Sequence, residues 1–274
     1  MFIRDGILFR STTLSAVPGV CHGFSTREGG ASTLEHTKTL NLTGGQGDAP
    51  ETVLYNLGVF ARAVSDGKYG AEAVVRAHQI HSSRIRQLAA DNAGEGTVRE
   101  AGEDCDGFYT DQPGVMPVIR VADCVPILFA GLKADSSPVV AAVHAGWRGT
   151  VSGIAPLAVE RMLSLGCEKE TIRAAVGAHI GFCCYEVGDD FFDAVRDARG
   201  ADFAARHVRR PAPGEKRHAD LSGMNLELLC EAGIAESAVD LCPLCTMEDT
   251  KTFYSHRGMN GKRGTMGAGI VIRG

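Results

Sequence analysis

The sequence predicts a single α/β domain over residues 1–274, in which helices pack against a mixed or parallel β-sheet. Short runs rich in Val and Ile recur from residue 116 onward, and each has the length of a buried strand. Segments with helical periodicity separate several of these runs. No internal repeat, low-complexity tract or linker divides the chain, and 44% hydrophobic residues can form a sizeable core.

The N-terminal part of the chain is predicted to begin with strand structure. Ile3 precedes an Asp5-Gly6 turn signal and an apolar run follows it, which together indicate a hairpin over residues 3–9. A polar, Gly-rich stretch that ends at residues 41–48 is typical of a loop, and its length suggests a function. Apolar periodicity then predicts a helix from about Glu51 to Ala63.

The remaining elements are predicted from alternating apolar runs and helical segments. The predicted strands are PVIRVA, VPILFAG, PVVAAVHAG, IRAAVGA and, near the end, AGIVI. Helices are predicted at about 153–165, 187–198 and 222–232. Pro156 must lie in the first turn of its helix, since proline is not tolerated further inside. The polar segment 209–220 is predicted to be an exposed loop.

Net charge and cysteine content limit which binding partners and which cellular compartment are expected. The formal net charge of −5 provides no basic excess, so a nucleic-acid partner is not expected. Arg4, Asp5 and Arg10 interrupt any N-terminal apolar segment, and no run approaches the roughly 18 apolar residues that a membrane span needs. Nine scattered cysteines indicate a reducing compartment. We therefore expect a soluble cytoplasmic enzyme, and the sequence does not indicate its oligomeric state.

Residues of metal-ligand type occur at the edges of three apolar runs. The three neighbourhoods are AHQIHSSR at 77–84, RVADCVPILF at 120–129 and AAVHAGWRG at 141–149. His81, Cys124 and His144 would give one thiolate and two imidazoles, a set that leaves the fourth position of Zn²⁺ open, as in catalytic sites. Their spacings match no local ligand motif, and His78 is an equally available ligand. Residues of these types beside a strand are also often ordinary core residues.

Eight segments, in order from about residue 20 to the C-terminus, carry a resemblance to a known family. They are HGFSTREGG, LNLTGGQGD, HQIHSSR, DCDGFYTD, VADCVPILFA, VHAGWRGT, CCYEVG and CTMEDTKTFYSHRG. The chain resembles the YfiH-like family, whose members are also called laccase-domain proteins, polyphenol oxidases or purine nucleoside phosphorylases. The combination of ADC and, twenty residues later, HAGWRG is the most specific part of the resemblance.

This resemblance implies both a fold and a metal centre. The fold would be a single-domain layered sandwich of mixed β-sheets flanked by helices. The metal would be zinc held by His81, Cys124 and His144, with His81 preferred over His78 because the family's ligand lies in a QxH element. The implied activities are phosphorolysis of adenosine, inosine and methylthioadenosine, together with deamination of adenosine.

Phosphorolysis requires cations and hydrogen-bond donors around a phosphate. Arg27 in the Gly-rich loop and Arg148 after His144 are the predicted phosphate ligands, and Arg148 is placed with Cys124 and His144 among the catalytic residues. Asn41 and Gln79 are predicted to orient ribose hydroxyls or a base edge.

Deamination of a purine would also require a proton shuttle. The zinc-deaminase pattern HxE with a later PCxxC is absent, so Glu186 and Asp123 are the candidates for the shuttle. Glu186 is therefore included among the predicted substrate-binding residues.

Other functions use some of the same residues. Cys124 could be a nucleophile with His144 as its base, in a hydrolase or deamidase acting on peptidoglycan precursors. Copper is a second candidate metal, for a laccase-like phenol oxidase, because two imidazoles and a thiolate also bind copper. No two histidines are spaced as HxH, which argues against multicopper chemistry. A binding module would hold the metal without turnover.

Cys242 and Cys245 form a CxxC pair, and we expect them to be reduced thiols because Cys183 and Cys184 are poorly spaced to complete a zinc site with them.

Three departures from the family pattern put the substrate preference in doubt. They are His256 in place of an arginine, Asn56-Leu57 in place of an Asn-Arg pair, and GTMGAG at 264–269.

Overall fold

The computed structural model of the chain describes residues 1–212 and 214–274, and within them the chain forms three β-sheets and seven α-helices. The strands are β1 (Phe2–Asp5), β2 (Leu8–Ser11), β3 (Val20–Ser25), β4 (Val74–Val75), β5 (Ile85–Gln87), β6 (Gly107–Thr110), β7 (Met116–Val121), β8 (Val125–Leu132), β9 (Pro138–Ala145), β10 (Arg173–Val176), β11 (Glu186–Val187), β12 (Val208–Arg209), β13 (Arg217–Ala219), β14 (Val239–Leu241) and β15 (Met266–Ile272). The helices are α1 (Thr12–Ser15), α2 (Pro50–Val64), α3 (Trp147–Val151), α4 (Ile154–Ser164), α5 (Asp189–Arg199), α6 (Ala201–His207) and α7 (Leu221–Glu231).

Two six-stranded sheets form the centre of the molecule. The first has the strand order β1-β2-β3-β15-β7-β4, and the second has the order β14-β10-β8-β9-β6-β5. Most neighbours are antiparallel, but β4–β7, β5–β6 and β10–β14 are parallel, so both sheets are mixed. A small third sheet, β11-β13-β12, lies outside them.

The side chains of β8 show why the sheets stack in layers. Ile127 and Phe129 pack into a core with the helices, whereas Leu128 and Ala130 pack into a second core that the two large sheets share. Because both faces of β8 are buried, the strand is apolar without interruption. A third core lies between the first sheet and α2. The layers are therefore α2, the first sheet, the second sheet and the remaining large helices.

The predicted mixed α/β sandwich and most of its predicted elements are confirmed. The hairpin at 3–9 corresponds to β1 and β2, the helix at 51–63 corresponds to α2, and Pro156 lies in the first turn of α4. The segment 209–220 is predicted to be an exposed loop, and this is wrong at its two ends, where β12 and β13 pair. Pro213 in its middle lies outside the described residues.

Among the helices of the described residues, none combines the length and the apolar character that a membrane crossing would require.

Candidate metal centre

The hairpin of β8 and β9 brings Cys124 and His144 together. In its register Pro126 pairs with His144 and Val125 pairs with Ala145. Cys124, two residues before Pro126, therefore continues the same face of the hairpin as His144. The spacing of twenty residues thus results from the lengths of the two strands and their turn.

Asp106 connects His144 to the segment that carries His81. It immediately precedes β6, whose register with β9 pairs Gly107 with Val143, so Asp106 lies opposite His144. The Oδ1 atom of Asp106 is 2.8 Å from Nδ1 of His144. The same carboxylate accepts hydrogen bonds from the backbone N–H of His81 at 3.0 Å and of Ser82 at 2.6 Å. One fully buried carboxylate therefore fixes two of the three candidate ligands.

The three candidate ligands converge at one point. One ligand atom each of His81, Cys124 and His144 lies within 4.8 Å of the other two. Nε2 of His81 is 3.9 Å from Sγ of Cys124, and the two imidazole rings are nearly perpendicular, with centroids 4.8 Å apart. The group therefore has the compactness and the donor types of a metal centre.

Two residues at this site have left-handed backbone conformations. His81 has φ 58° and Asp123, just before Cys124, has φ 91°. Such conformations are unfavourable for residues with a side chain and occur often at functional sites. At Asp123 the turn is held because its carboxylate accepts hydrogen bonds from Thr246 Oγ1 and from the backbone N–H of Arg257, both at 2.6 Å.

The charges of the site are set by mutual contacts. Removal from water favours the neutral thiol of Cys124, but hydrogen bonds from His144 and His81 outweigh this effect and lower its pKa to about 6. Burial opposes protonation of His144, yet Asp106 and Cys124 raise its pKa to about 9. Burial likewise opposes ionisation of Asp106, but hydrogen bonds from His144 and Ser82 lower its pKa to about 2. The site therefore favours an ionised thiolate beside ionised Asp106.

An open cleft of about 180 Å³ leads to the three residues. Arg120, Arg263 and Thr265 line it together with His78 and Gln79. The Nε atoms of both arginines and Oγ1 of Thr265 are buried and have no hydrogen-bond partner in residues 1–212 and 214–274. Arg86 Nε and Asn225 Oδ1 are unpaired elsewhere in the described part of the chain, so it is the grouping of three such atoms along one cleft that makes the cleft a candidate site for a polar or anionic ligand.

Two other predicted residues also lie at the cleft. His78 is exposed, with Nδ1 3.3 Å from Oδ2 of Asp104, and it is outside the three-residue group. Gln79 lines the cleft, but its amide makes two hydrogen bonds with the backbone of Arg120, from Nε2 at 2.8 Å and to Oε1 at 2.9 Å. Its amide is therefore largely engaged by strand β7.

Arg27 and Asn41 are not among the residues lining this cleft. Arg27 donates hydrogen bonds to the carbonyl groups of Lys38 and Thr250 and lies over the ring of Tyr254. Asn41 is fully buried, and its amide bonds to residues of its own loop and to the backbone N–H of Thr265. Both side chains are engaged in holding the Gly-rich loop.

Arg148 and Glu186 do not line the cleft either. Arg148 is exposed on α3 and stacks over the Trp147 ring at 4.3 Å. Glu186 is exposed on β11, where it forms an ion pair with Lys216 at 2.9 Å. Both carboxylate oxygens of Asp123 accept hydrogen bonds, as described above, so this group supports the turn before Cys124.

Asp106, Arg120 and Arg263 belong to the site in the structure but are not among the residues predicted for it. Asp106 lies within the segment DCDGFYTD, which was noted only as part of the resemblance. Its partners are 24–38 residues away, so no local pattern marks it. Arg120 opens the segment RVADCVPILF, whereas Arg263 lies in none of the quoted segments. For both arginines, only the structure shows the unpaired Nε atom and the position at the cleft.

Comparison with known proteins places the chain in a family. A family model described as "Multi-copper polyphenol oxidoreductase laccase" matches residues 21–273. The chain belongs to this family. The resemblance to YfiH-like proteins is thereby confirmed, because a Bacillus licheniformis structure titled hypothetical protein YfiH superposes with a TM-score of 0.88 at 30% identity, covering 99% of both chains. The structure of YlmD from Geobacillus stearothermophilus gives a TM-score of 0.85 at 29% identity, covering 100% of this chain and 99% of that one.

Curated relatives in this family carry names of purine nucleoside enzymes. A protein of Deinococcus radiodurans named purine nucleoside phosphorylase is 35% identical over 265 residues, which cover 97% of this chain and 92% of the relative. Adenosine deaminase RL5, from an unknown prokaryotic organism, is 33% identical over 204 residues, covering 72% of this chain and 74% of that protein.

Proposed function

We propose that this laccase-family chain is a zinc-dependent purine nucleoside enzyme in the cytoplasm. Its main reaction would be phosphorolysis of adenosine, inosine or methylthioadenosine, with deamination of adenosine as a second reaction of the same site. The names of its relatives support the substrate class. The observation that carries the proposal is the convergence of His81, Cys124 and His144 at the base of a cleft that also contains unpaired arginine nitrogens.

The donor set fits zinc. One thiolate and two imidazoles are borderline-soft ligands, and three protein ligands are typical of catalytic zinc. The Nδ1 atom of His144 bonds to Asp106, the kind of carboxylate partner that zinc-bound histidines commonly have. When bound, Zn²⁺ would supply a Lewis acid that polarises a reactant at its open coordination position.

We assign phosphate binding to Arg263 and Arg120 rather than to Arg27 and Arg148. Among the described residues, the Arg263 guanidinium makes only long contacts, to Gly264 O at 3.5 Å and His256 Nδ1 at 3.4 Å, so it retains donors for an anion. Arg120 is held by Ala77 O and Thr43 Oγ1, and its Nε remains unpaired. It would add charge from a fixed position.

The side chains that line the cleft would act on the phosphate and on the ribose. Arg263 would orient hydrogen phosphate so that one oxygen forms a bond to ribose C1′ while the bond from C1′ to the purine nitrogen breaks. The electron pair of the broken bond stays on the purine, which takes up the proton that the hydrogen phosphate carried. Thr265 Oγ1 would donate a hydrogen bond to phosphate or ribose. The cleft volume of about 180 Å³ is below the ~300–1,000 Å³ of pockets that enclose a whole ligand, so part of the nucleoside would remain at the open mouth.

The decisive experiment is chromatography of adenosine and inosine incubated with the purified chain, with and without phosphate. We expect free base to appear only with phosphate, the activity to disappear on chelation, and Zn²⁺ but not Mg²⁺ to restore it. A Cys124→Ser preparation controls for contaminating phosphorylases. Product formation that survives both chelation and this substitution would overturn the proposal, and inosine formed from adenosine without phosphate would identify deamination.

One observation favours a second candidate, a Cys/His hydrolase. Cys124, His144 and Asp106 are arranged as a thiol nucleophile, its base and the carboxylate that orients the base would be. In that case amide hydrolysis would persist in metal-free protein and would be lost on alkylation of Cys124. The metal enzyme would instead be inactive when metal-free, so the same two treatments separate the two candidates.

Copper remains the alternative metal named in the family description. In the described residues, two groups of three or more potential ligands occur, and one of them contains histidine. A trinuclear copper cluster uses many histidines, so the ligand set favours a single-ion site. Strong visible absorption with stoichiometric copper in the purified protein would reverse this preference.

A further inference from the structure

A second group of sulfur atoms lies apart from the cleft. We call Cys183, Cys184 and Cys245 the thiol cluster; their Sγ atoms lie within 4.8 Å of one another, and all three are free thiols. The sequence suggested that Cys183 and Cys184 are poorly spaced to combine with the CxxC pair. The structure corrects this for Cys245, whereas Cys242 is outside the cluster.

Two segments distant in sequence build the thiol cluster. Cys183 and Cys184 lie in a turn in which the N–H of Cys184 donates to Gly181 O at 3.0 Å. Cys245 follows β14 and forms a parallel bridge with His179. The cluster therefore depends on tertiary structure rather than on a local motif.

The backbone of Gly181 lies directly against this cluster. Its backbone N–H donates to Sγ of Cys245 at 3.2 Å. A Cβ atom at this position would lie 3.1 Å from Sγ of Cys183 and 3.6 Å from Sγ of Cys245. Glycine thus lets the backbone approach two sulfurs and leaves one of them with an N–H donor, a contact that favours a thiolate.

The surroundings of the thiol cluster provide negative rather than positive charge. Partial removal of its sulfur from water, contacts among the three thiols and the nearby Glu248 raise the pKa of Cys183, and partial burial is the largest cause of the raised pKa of Cys184. Soft thiolate ligands prefer Zn²⁺ and similar cations, which bind by displacing the thiol protons. A cation would therefore supply the charge that this cluster lacks.

We propose that Cys183, Cys184 and Cys245 form a second cation site, which takes Zn²⁺ through three thiolates and leaves a fourth position for water or Glu248. Three S–H bonds are replaced by three Zn–S bonds, and up to three protons are released to solvent. Sulfurs of a tetrahedral zinc site with Zn–S of ~2.3 Å lie ~3.8 Å apart, so the present cluster needs only a small contraction. The inference does not depend on the proposed nucleoside chemistry.

Binding at the thiol cluster would stabilise the turn that presents Cys124. Ile180 N–H donates to Asp123 O at 2.9 Å, and Thr246 Oγ1 donates to the Asp123 carboxylate at 2.6 Å. These two contacts come from the same two segments that carry the cluster cysteines. A cation joining the segments would therefore hold Asp123 from both sides.

Differential alkylation of the full chain tests the site without any substitution. Reduced protein is treated with iodoacetamide with and without added Zn²⁺, and each cysteine is followed by peptide mass spectrometry. Cys183 and Cys230 are both exposed, so Cys230 is the internal control. We expect zinc to slow alkylation of Cys183 by at least roughly tenfold by mass action, and to leave Cys230 almost unchanged. Equal rates with and without zinc at Cys183 would overturn the proposal.

Metal content separates this site from the first one. We expect two zinc ions per wild-type chain, one after Cys183→Ser with Cys184→Ser, one after His81→Ala, and two after Cys230→Ser. A zinc content that is the same in the wild-type chain and in the double variant would contradict the second site. So would a disulfide within the cluster in protein purified without air. If the double variant fails to fold, the alkylation of wild-type protein decides the question.

Discussion

Oδ1 of Asp106 lies 2.8 Å from Nδ1 of His144 and 3.0 Å from the backbone N–H of His81. This one carboxylate oxygen therefore connects a strand residue and a loop residue that are 63 positions apart. Since the side chain of Asp106 is fully buried, water cannot replace either contact. The orientation of two candidate metal ligands depends on it.

Asp106→Asn should weaken zinc binding. The amide keeps the size of the side chain but loses the charge, and one of its atoms becomes a donor that faces the backbone N–H groups of His81 and Ser82. Loss of such a carboxylate partner typically lowers metal affinity 10- to 100-fold, so we expect an effect of about that size in competition with a chelator. Asp104→Asn, at an exposed carboxylate beside His78, is the matched control. Equal zinc affinity in both variants would contradict the role of Asp106.

Gly146→Ala should also impair the metal centre while leaving the fold intact. Gly146 has φ −62°, a conformation open to alanine, so backbone strain is not expected. Its Cβ would lie 3.0 Å from Cδ2 of His81 and 3.5 Å from Sγ of Cys124, which would displace the ligands. Zinc affinity should fall by about tenfold or more, because ligand geometry is affected directly.

The control for this substitution is Gly44→Ala. A Cβ on Gly44 has nothing within 4 Å, so its zinc affinity and thermal stability should match the wild type. Circular dichroism checks that both variants fold. Full zinc affinity in Gly146→Ala would show that the three side chains are less closely confined than their distances indicate.

Arg263→Gln should reduce use of phosphate. Hydrogen bonds to charged groups contribute about 1.5–3 kcal/mol each, so we expect kcat/KM for phosphate to fall about 10- to 100-fold with zinc content unchanged. Arg148→Gln is the control, because Arg148 is exposed and stacks on Trp147 outside the cleft. If Arg148→Gln causes the loss and Arg263→Gln does not, the original sequence prediction for phosphate is the better one.

The sequence could predict local elements and the ligand types, because these depend on neighbouring residues. Val and Ile runs identify β8 and β9, and helical periodicity identifies α2. Even so, the local pattern AHQIHSSR leaves His78 and His81 equivalent as ligands. Their difference arises from the left-handed turn at His81 and its hydrogen bond to Asp106, and neither is visible in the spacing.

The rest of the site depends on pairing between distant strands. Asp106 faces His144 only because β6 pairs with β9 in one register, and a shift by one residue would turn the carboxylate away. Arg263 and Thr265 reach the cleft from the segment before β15, far in sequence from the other lining residues, which lie between positions 43 and 144. Phosphate binding was therefore assigned to Arg27 and Arg148, which lie in recognisable segments but not along the cleft.

The stability of the fold should depend on pH through His22. Burial, and then the charge of Arg10, lower the pKa of His22 to about 4, and its Nε2 accepts the backbone N–H of Ser11 at 2.9 Å. An unfolded histidine binds a proton below about pH 6.5 while the native one resists it down to about pH 4, so the free energy of unfolding should fall by roughly 3 kcal/mol as pH drops through this window. In His22→Gln the amide oxygen can accept the same backbone N–H of Ser11, but the amide does not titrate. The free energy of unfolding, measured with denaturant, should therefore depend less on pH in this variant. The control is His78→Gln, at an exposed histidine, which should follow the wild type. Parallel curves for the wild type and His22→Gln between pH 4 and 6.5 would mean that other groups, such as the Asp240 carboxylate near Ser11, dominate acid unfolding.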